Sequence, residues 1–174
     1  FCAWRDGYVG RPILVAWQEL RSRRVLGWAI GRTESAELAR LAFHHAASAS
    51  RALPDSAYLD NGRAYAAKEM TGGQATRNRF KIDESDPLGI LTALVIDVIW
   101  ATPYNGRAKP VESFWNIVAE AERRKEFVGS WCGNRPDAKP DEFTGRAVPI
   151  ADYEAAVREA IEEKNAQPHR GDSM

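Results

Sequence analysis

Two β-compatible runs near the amino end constrain the fold more than any other feature of this chain. Ile13 to Trp17 is apolar, and Val25 to Ile30 is a second run of the same kind. The polar residues Arg21 to Arg24 between them predict a short hairpin connection. Asp6-Gly7 is a further turn signal, and Phe1 to Arg5 before it has the pattern of the end of an earlier strand. We therefore predict three antiparallel strands, the first of them truncated.

Helices and short strands are predicted to alternate after this opening. Apolar residues between Leu38 and Ala46 repeat at helical spacing, and Thr33 is a good N-cap residue before them. Ala57 to Leu59 is a brief strand, and strand-like Val98 to Trp100 follows a helix that is expected to begin near Leu88.

The carboxyl-terminal part is predicted to be helical with one long irregular segment. Pro110 fits the first turn of a helix that carries Val111 to Arg123. Residues 71–80 and Gly129 to Gly145 are rich in turn-forming residues, so loops are expected there. A last amphipathic helix begins near Ile150. The order of elements predicts an α/β domain, a mixed sheet with helices packed against it.

Composition limits the classes of function. The chain has 174 residues, 44% of them hydrophobic and 28% charged, which is typical of one globular domain spanning residues 1–174. Twenty-four basic residues balance twenty-four acidic ones, so any nucleic-acid binding must depend on a local basic surface.

Cysteine usage and hydropathy indicate where the protein acts. Cys2 and Cys132 are far apart and form no disulfide framework, so both are interpreted as packing residues in a reducing cytosol. The longest apolar run, Gly89 to Trp100, is shorter than the about 20 residues that a membrane span needs. We expect a cytoplasmic protein with no membrane partner. Because the chain begins with Phe1 rather than Met, we also expect a domain excised from a longer protein.

Two carboxylates occupy positions where α/β folds gather functional residues. Asp60 ends a predicted strand, and Glu112 falls in the opening turn of the helix after the next strand. Enzymes that cut phosphodiester bonds use a pair of divalent ions about 4 Å apart, held by carboxylate oxygens. The residues alone leave a structural alternative open, with Asp60 as a turn former and Glu112 as a partner of the helix dipole.

Basic residues cluster around both carboxylates. Residues 61–82 contain five basic residues and one acidic residue, and two further basic residues precede Glu112. Such side chains beside a metal site can hold phosphates, although a solvated loop is the alternative. The candidate DNA contacts are Arg63, Lys68, Arg77, Arg79, Lys81, Arg107 and Lys109.

Several motifs resemble the phage Mu-type DDE transposase family. Tyr58 to Arg63 and Lys68 to Gly73 resemble the segment around that family's second catalytic aspartate. Ala108 to Glu112 resembles the segment that carries its catalytic glutamate, and Ala138 to Asp141 a motif further downstream. The resemblance continues in consistent order from about Phe1 to Arg170.

The resemblance implies a fold, a chemistry and a set of partners. The fold would be RNase H-like, as in the retroviral-integrase superfamily, with three antiparallel strands, then two parallel ones, flanked by helices. Two aspartates and one glutamate would hold two Mg²⁺ or Mn²⁺ ions. The complete protein would nick element ends and join them to target DNA, acting as a homo-multimer on double-stranded DNA. Asp60 would be the second acid of that set and Glu112 the third.

The first aspartate of the family pattern falls outside this sequence. It precedes the segment that Phe1 to Trp4 resembles, whereas Asp6 matches the hairpin turn that follows the catalytic strand. We therefore expect the third acidic ligand upstream of Phe1 and an inactive fragment, because ligand number and geometry determine metal binding. Two alternatives remain: an RNase H-like nuclease without strand transfer, and a non-catalytic DNA-binding or assembly module.

Overall fold

A computed structural model describes residues 1–59, 68–72, 88–101, 112–131 and 141–167. The fold of these residues is mixed α/β. Their elements, in chain order, are β1 (Cys2–Ala3), β2 (Val9–Gly10), β3 (Ile13–Gln18), β4 (Val25–Gly31), α1 (Ala36–Ser50), β5 (Ser56–Leu59), α2 (Lys68–Thr71), α3 (Ile90–Ala93), β6 (Asp97–Trp100), α4 (Glu112–Glu122), a 3₁₀ helix (Lys125–Phe127), β7 (Val148–Pro149) and α5 (Ile150–Ala166).

The chain divides into two compact units. The first comprises Phe1–Ile13, Gln18–Val25 and Pro110–Met174, and the second comprises Leu14–Trp17 and Leu26–Lys109.

In the first unit, β1 lies between two partners. It pairs antiparallel with β2, where Cys2 faces Gly10, and parallel with β7, where Cys2 faces Val148. The turn between β1 and β2 contains Gly7 with a φ of 87°, which confirms the predicted turn at Asp6-Gly7. Strand β7 was not predicted, because two residues are too few to show an alternating pattern.

Helices α4 and α5 pack against each other in the first unit. Phe114 on α4 and Val157 on α5 are fully buried. Burial of a side chain as large as Phe114 stabilises the fold by roughly 1.5–3 kcal/mol. The Arg124 guanidinium pairs with the Glu159 carboxylate, but both side chains are partly exposed, so this ion pair adds little. The start of α5 at Ile150 confirms the predicted last helix.

In the second unit, the predicted first helix is present but begins later than expected. The N-cap residue of α1 is Ser35, whose hydroxyl oxygen accepts a hydrogen bond from the Leu38 backbone amide at 3.1 Å. The prediction of Thr33 as the cap was wrong. Ser35 has the extended backbone that a cap requires, with a φ of −145°, and either hydroxyl residue satisfies the sequence rule.

Helix α1 packs closely on the β3–β4 pair within the second unit. The indole Nε1 of Trp17 donates a hydrogen bond to the Ala39 carbonyl oxygen at 3.1 Å, and the rings of Trp17 and Phe43 meet edge to face at 5.1 Å. Gly27 on β4 lies against the helix backbone, because a Cβ there would be 2.2 Å from the Ala46 nitrogen. This glycine is therefore required by close approach rather than by its dihedral angles.

The second unit also contains the parallel pair β5–β6, which confirms both predicted strands. Leu59 is opposite Trp100 at their carboxyl ends. The helix before β6 is shorter than expected, since α3 begins at Ile90 with Gly89 as its N-cap residue rather than near Leu88. Thr71 was predicted to be in a loop but ends α2, where its carbonyl accepts a hydrogen bond from the Thr92 hydroxyl at 2.7 Å.

The described strands form three small sheets, ordered β2-β1-β7, β3-β4 and β5-β6. A connection of six residues joins β3 to β4, which makes that pair antiparallel, because parallel strands need a longer crossover. The predicted single sheet, with three antiparallel strands followed by two parallel ones, stays a prediction.

Cys2 is expected to be chemically inert. Its side chain is buried, and burial raises the pKa of the thiol from 9.0 to about 11. The reactive thiolate is therefore about 100-fold scarcer at pH 8 than in an exposed cysteine. Iodoacetamide labelling followed by peptide mass spectrometry measures the rate at this residue. Labelling in urea should restore the ordinary rate, whereas fast labelling of the native chain would contradict the burial of Cys2.

Candidate functional site

The backbone that leads into Asp60 is fixed at the carboxyl edge of the β5–β6 pair. Leu59, the last residue of β5, is buried, and its carbonyl oxygen accepts a hydrogen bond from the Ala101 amide at 2.8 Å. The two parallel strands thus end side by side, which is where α/β sheets usually place functional groups. Asp60 is the next residue along the chain and lies outside the described residues.

Glu112 is the first residue of α4, which confirms its predicted position in the opening turn of a helix. Phe114 is fully buried and fixes this end of the helix within the first unit. Trp115 and Asn116, in the same part of the helix, are exposed.

The pairing of Asp60 with Glu112 stays a prediction. Asp60 belongs to the second compact unit and Glu112 to the first. Lys68 is the first residue of α2. The remaining candidate DNA contacts lie outside the described residues: Arg63, Arg77, Arg79, Lys81, Arg107 and Lys109.

Within the described ranges, no group of three or more His, Cys, Asp and Glu side chains is placed to hold a metal ion. The described ranges exclude Asp60, so this finding does not bear on the predicted carboxylate site. Carboxylate oxygens are the donors that the hard cations Mg²⁺ and Mn²⁺ prefer, so the residue types at 60 and 112 fit such ions.

A cavity of about 160 Å³ lies in the first unit, and no sequence pattern predicted it. Tyr153 and Glu122 both line it, and the Tyr153 hydroxyl donates a hydrogen bond to the Glu122 carboxylate at 2.8 Å. Burial, and then the negative charge of Glu122, raise the pKa of Tyr153 far above its ordinary value. The Tyr153 phenol therefore stays protonated and acts as a fixed donor rather than as a nucleophile. The lining consists mainly of apolar and aromatic residues, among them Phe1, Pro12, Phe127, Trp131 and Val148.

The turn between β3 and β4 is a second feature, which the sequence predicted only as a connection. It contains Arg21, Arg23 and Arg24, three basic residues within four positions. That density was the available signal, but polar turns are common between strands, so by itself it predicts no function.

Comparison with known proteins establishes the family. A family model described as bacteriophage Mu transposase matches residues 1–174. The chain belongs to the bacteriophage Mu transposase family. The predicted resemblance is thereby confirmed.

A relative of this Mu transposase family member is the Mu-like prophage FluMu transposase A of Haemophilus influenzae. The two are 30% identical over an alignment of 172 positions, and the match covers 92% of this chain and 25% of the relative. The chain thus spans about a quarter of the length of that relative. Within the described residues, no helix of this family member is both long and apolar enough to span a membrane.

Proposed function

We propose that residues 1–174 form the catalytic core of a DNA transposase, which nicks the ends of a mobile element and joins them to target DNA in the bacterial cytoplasm. The match of the Mu transposase family model to the whole chain carries this proposal. The relative in Haemophilus influenzae is itself named a transposase. The positions of Asp60 and Glu112 in the chain support it. Asp60 comes directly after strand β5 and Glu112 begins helix α4, and regular elements of this kind can hold functional side chains in place.

In this proposal, Asp60 and Glu112 are two of three carboxylates that hold Mg²⁺ or Mn²⁺, and the third is the aspartate that the family pattern has before Phe1. The ions, when bound, would lower the pKa of an attacking water and stabilise charge on the attacking and leaving oxygens. The chain's own part is to hold these oxygen ligands in a fixed geometry. The basic residues near them in the sequence, between Arg63 and Lys81 and at Arg107 and Lys109, would hold the DNA phosphates.

The proposed chemistry consists of two in-line displacements at phosphorus. Water first breaks a phosphodiester bond at the element end, which leaves a 3′-hydroxyl and a 5′-phosphate. That 3′-hydroxyl then attacks a target phosphodiester, forming one bond while breaking another. No covalent protein intermediate is needed. Both steps depend on positioning of the reacting groups, which a homo-multimer on double-stranded DNA would provide for two element ends at once.

A strand-transfer assay with the full-length protein tests the proposal. Pre-cut element ends are incubated with a plasmid target and Mg²⁺, and joined products are expected. Hydrolysis of the DNA without joining would show that the protein is a nuclease and not a transposase. DNA binding with neither reaction would make the chain a non-catalytic module.

A further inference from the structure

The turn between β3 and β4, residues 19–24, carries an unusual concentration of positive charge, and we name it the arginine hairpin. Three of its residues are arginines and Glu19 is its one acidic residue. The chain as a whole has no net charge. The arginine hairpin is therefore a local basic surface of the kind that nucleic-acid binding requires in a neutral chain.

The carboxylate of Glu19 is occupied in closing this turn. It accepts a hydrogen bond from the Arg21 backbone amide at 2.8 Å and another from the Ser22 backbone amide. Partial burial acts to raise the pKa of Glu19, but the hydrogen bonds from Ser22 and Arg21 outweigh it and lower that pKa overall. Glu19 thus stays ionised at neutral pH and organises the backbone of the turn.

Further hydrogen bonds hold the arginine hairpin rigidly. The side-chain amide of Gln18 donates a hydrogen bond to the Arg23 carbonyl oxygen at 2.7 Å. The backbone amide of Glu19 donates another to the Arg24 carbonyl oxygen at 2.9 Å. At the base of the turn, the side chain of Asn165 on α5 pairs with both backbone groups of Val25, at 2.9 and 2.8 Å. The turn is therefore attached to regular elements at its base and closed at its tip.

Among the residues that the structure describes, the arginine side chains of this turn form no ion pair, although the positive charge of Arg21 helps to lower the pKa of Glu19. Within those residues, no carboxylate lies within 4.0 Å of the guanidinium groups of Arg21, Arg23 or Arg24. Arg21 and Arg24 are exposed, and a guanidinium nitrogen of Arg23 is buried without a hydrogen-bond partner. Arg124 in the same unit differs, because it pairs with Glu159 and Glu163.

Arg23 also has an unfavourable backbone conformation. Its φ of 58° lies in the left-handed region, which is unfavourable for a residue with a side chain. The hydrogen bonds from Gln18 and Glu19 maintain this conformation. A turn that is closed by hydrogen bonds and carries two exposed guanidinium groups suits an extended anion, because each planar fork can donate two hydrogen bonds to one phosphate.

We propose that the arginine hairpin binds the sugar–phosphate backbone of double-stranded DNA, in addition to the basic residues that the sequence places near Asp60 and Glu112. The choice of DNA as the polyanion rests on the proposed transposase function. The contacts would be independent of sequence, since they are made to phosphates and not to base edges. Arg21 and Arg24, the two exposed arginines of the turn, would make these contacts.

The salt dependence of DNA binding tests this surface. Binding of the chain to a random 30-base-pair duplex is measured in EDTA over a series of NaCl concentrations. For R21Q/R24Q, loss of two phosphate contacts should reduce the slope of log K against log salt by about 1.8 and weaken binding on the order of 50-fold at 0.1 M salt. R21K/R24K keeps both charges and should keep the slope.

The matched control is R40Q/R51Q, which removes two exposed arginines from α1 and its C-cap. Thermal melts of all variants verify folding. A smaller slope for R21Q/R24Q alone supports the proposal. Equal losses in both double variants, no change in slope, or no salt-dependent binding by the parent chain would each overturn it.

EDTA keeps this test independent of catalysis. Strand transfer together with an unchanged slope for R21Q/R24Q would contradict DNA binding by the arginine hairpin and would leave the proposed transposase function intact. If DNA binding depends on the hairpin but the full-length protein shows no strand transfer, the proposed transposase function is contradicted and DNA binding by the hairpin is retained.

Discussion

Glu112→Gln in the full-length protein is expected to slow strand transfer about 10³-fold or more and to leave DNA binding unchanged. Glutamine has nearly the same size as glutamate but no charge, and Mg²⁺ binds neutral amide oxygens much more weakly than carboxylates. A metal ion supplies several kcal/mol of transition-state stabilisation, and each 1.36 kcal/mol corresponds to a factor of about ten in rate. Single-turnover joining of pre-cut ends measures the rate, and a gel-shift titration measures binding.

Glu120→Gln is the matched control for this change. Glu120 is on the same helix, α4, and is exposed, so the substitution changes the same charge at a different position. Its strand-transfer rate should equal that of the parent protein. A Glu112→Gln variant that keeps its rate within a few-fold of this control would show that Glu112 is no metal ligand. Glu112 would then be a partner of the α4 helix dipole, and the acidic triad would need another member.

Local sequence patterns were most successful in predicting the strands and helices themselves. Strands β3 and β4 and helix α5 follow from apolar runs and helical spacing, which depend on neighbouring residues only. Boundaries were less certain, because a boundary depends on which of several suitable residues takes the capping geometry. Ser35 rather than Thr33 caps α1 for this reason.

Contacts between distant parts of the chain were not predictable. Cys2 faces Val148 in the parallel pair β1–β7, and the Asn165 side chain binds the backbone of Val25 at a separation of 140 residues. Neither contact leaves a periodic pattern, since a two-residue strand and a single amide side chain are too short to produce one. Such contacts depend on how elements pack, which the pattern of one chain does not specify.

The candidate site shows the same division between pattern and context. The sequence pattern predicted that one carboxylate follows strand β5 and that another lies at the start of helix α4. Turns and helix amino termini, however, often contain Asp and Glu for structural reasons. The resemblance to the Mu transposase family, now confirmed for the chain, turned these two positions into candidate ligands. The arginine hairpin was not predicted as a binding surface, because its lack of ion pairs among the described residues is visible only in three dimensions.

Gly27→Ala is expected to destabilise the chain by about 3 kcal/mol or more. The added Cβ would lie 2.2 Å from the Ala46 nitrogen and 2.4 Å from the Ala42 carbonyl oxygen, and both atoms belong to the backbone of α1. A helix backbone cannot yield as a flexible side chain can, so β4 and α1 must separate. Overpacking of this kind costs typically 1–3 kcal/mol, and more where backbone must move. Urea unfolding followed by circular dichroism measures the free energy of unfolding.

Gly145→Ala separates steric conflict from backbone strain. Gly145 has a φ of 75°, and a Cβ added there would have no heavy atom of the described residues within 4 Å, so alanine adds strain alone, about 1–2 kcal/mol. Gly27→Ala should cost more than this control and should also shift the indole N–H resonance of Trp17, whose hydrogen bond to Ala39 depends on the same packing. Equal losses of stability in the two variants, with the Trp17 resonance unmoved, would show that β4 and α1 are not in close backbone contact.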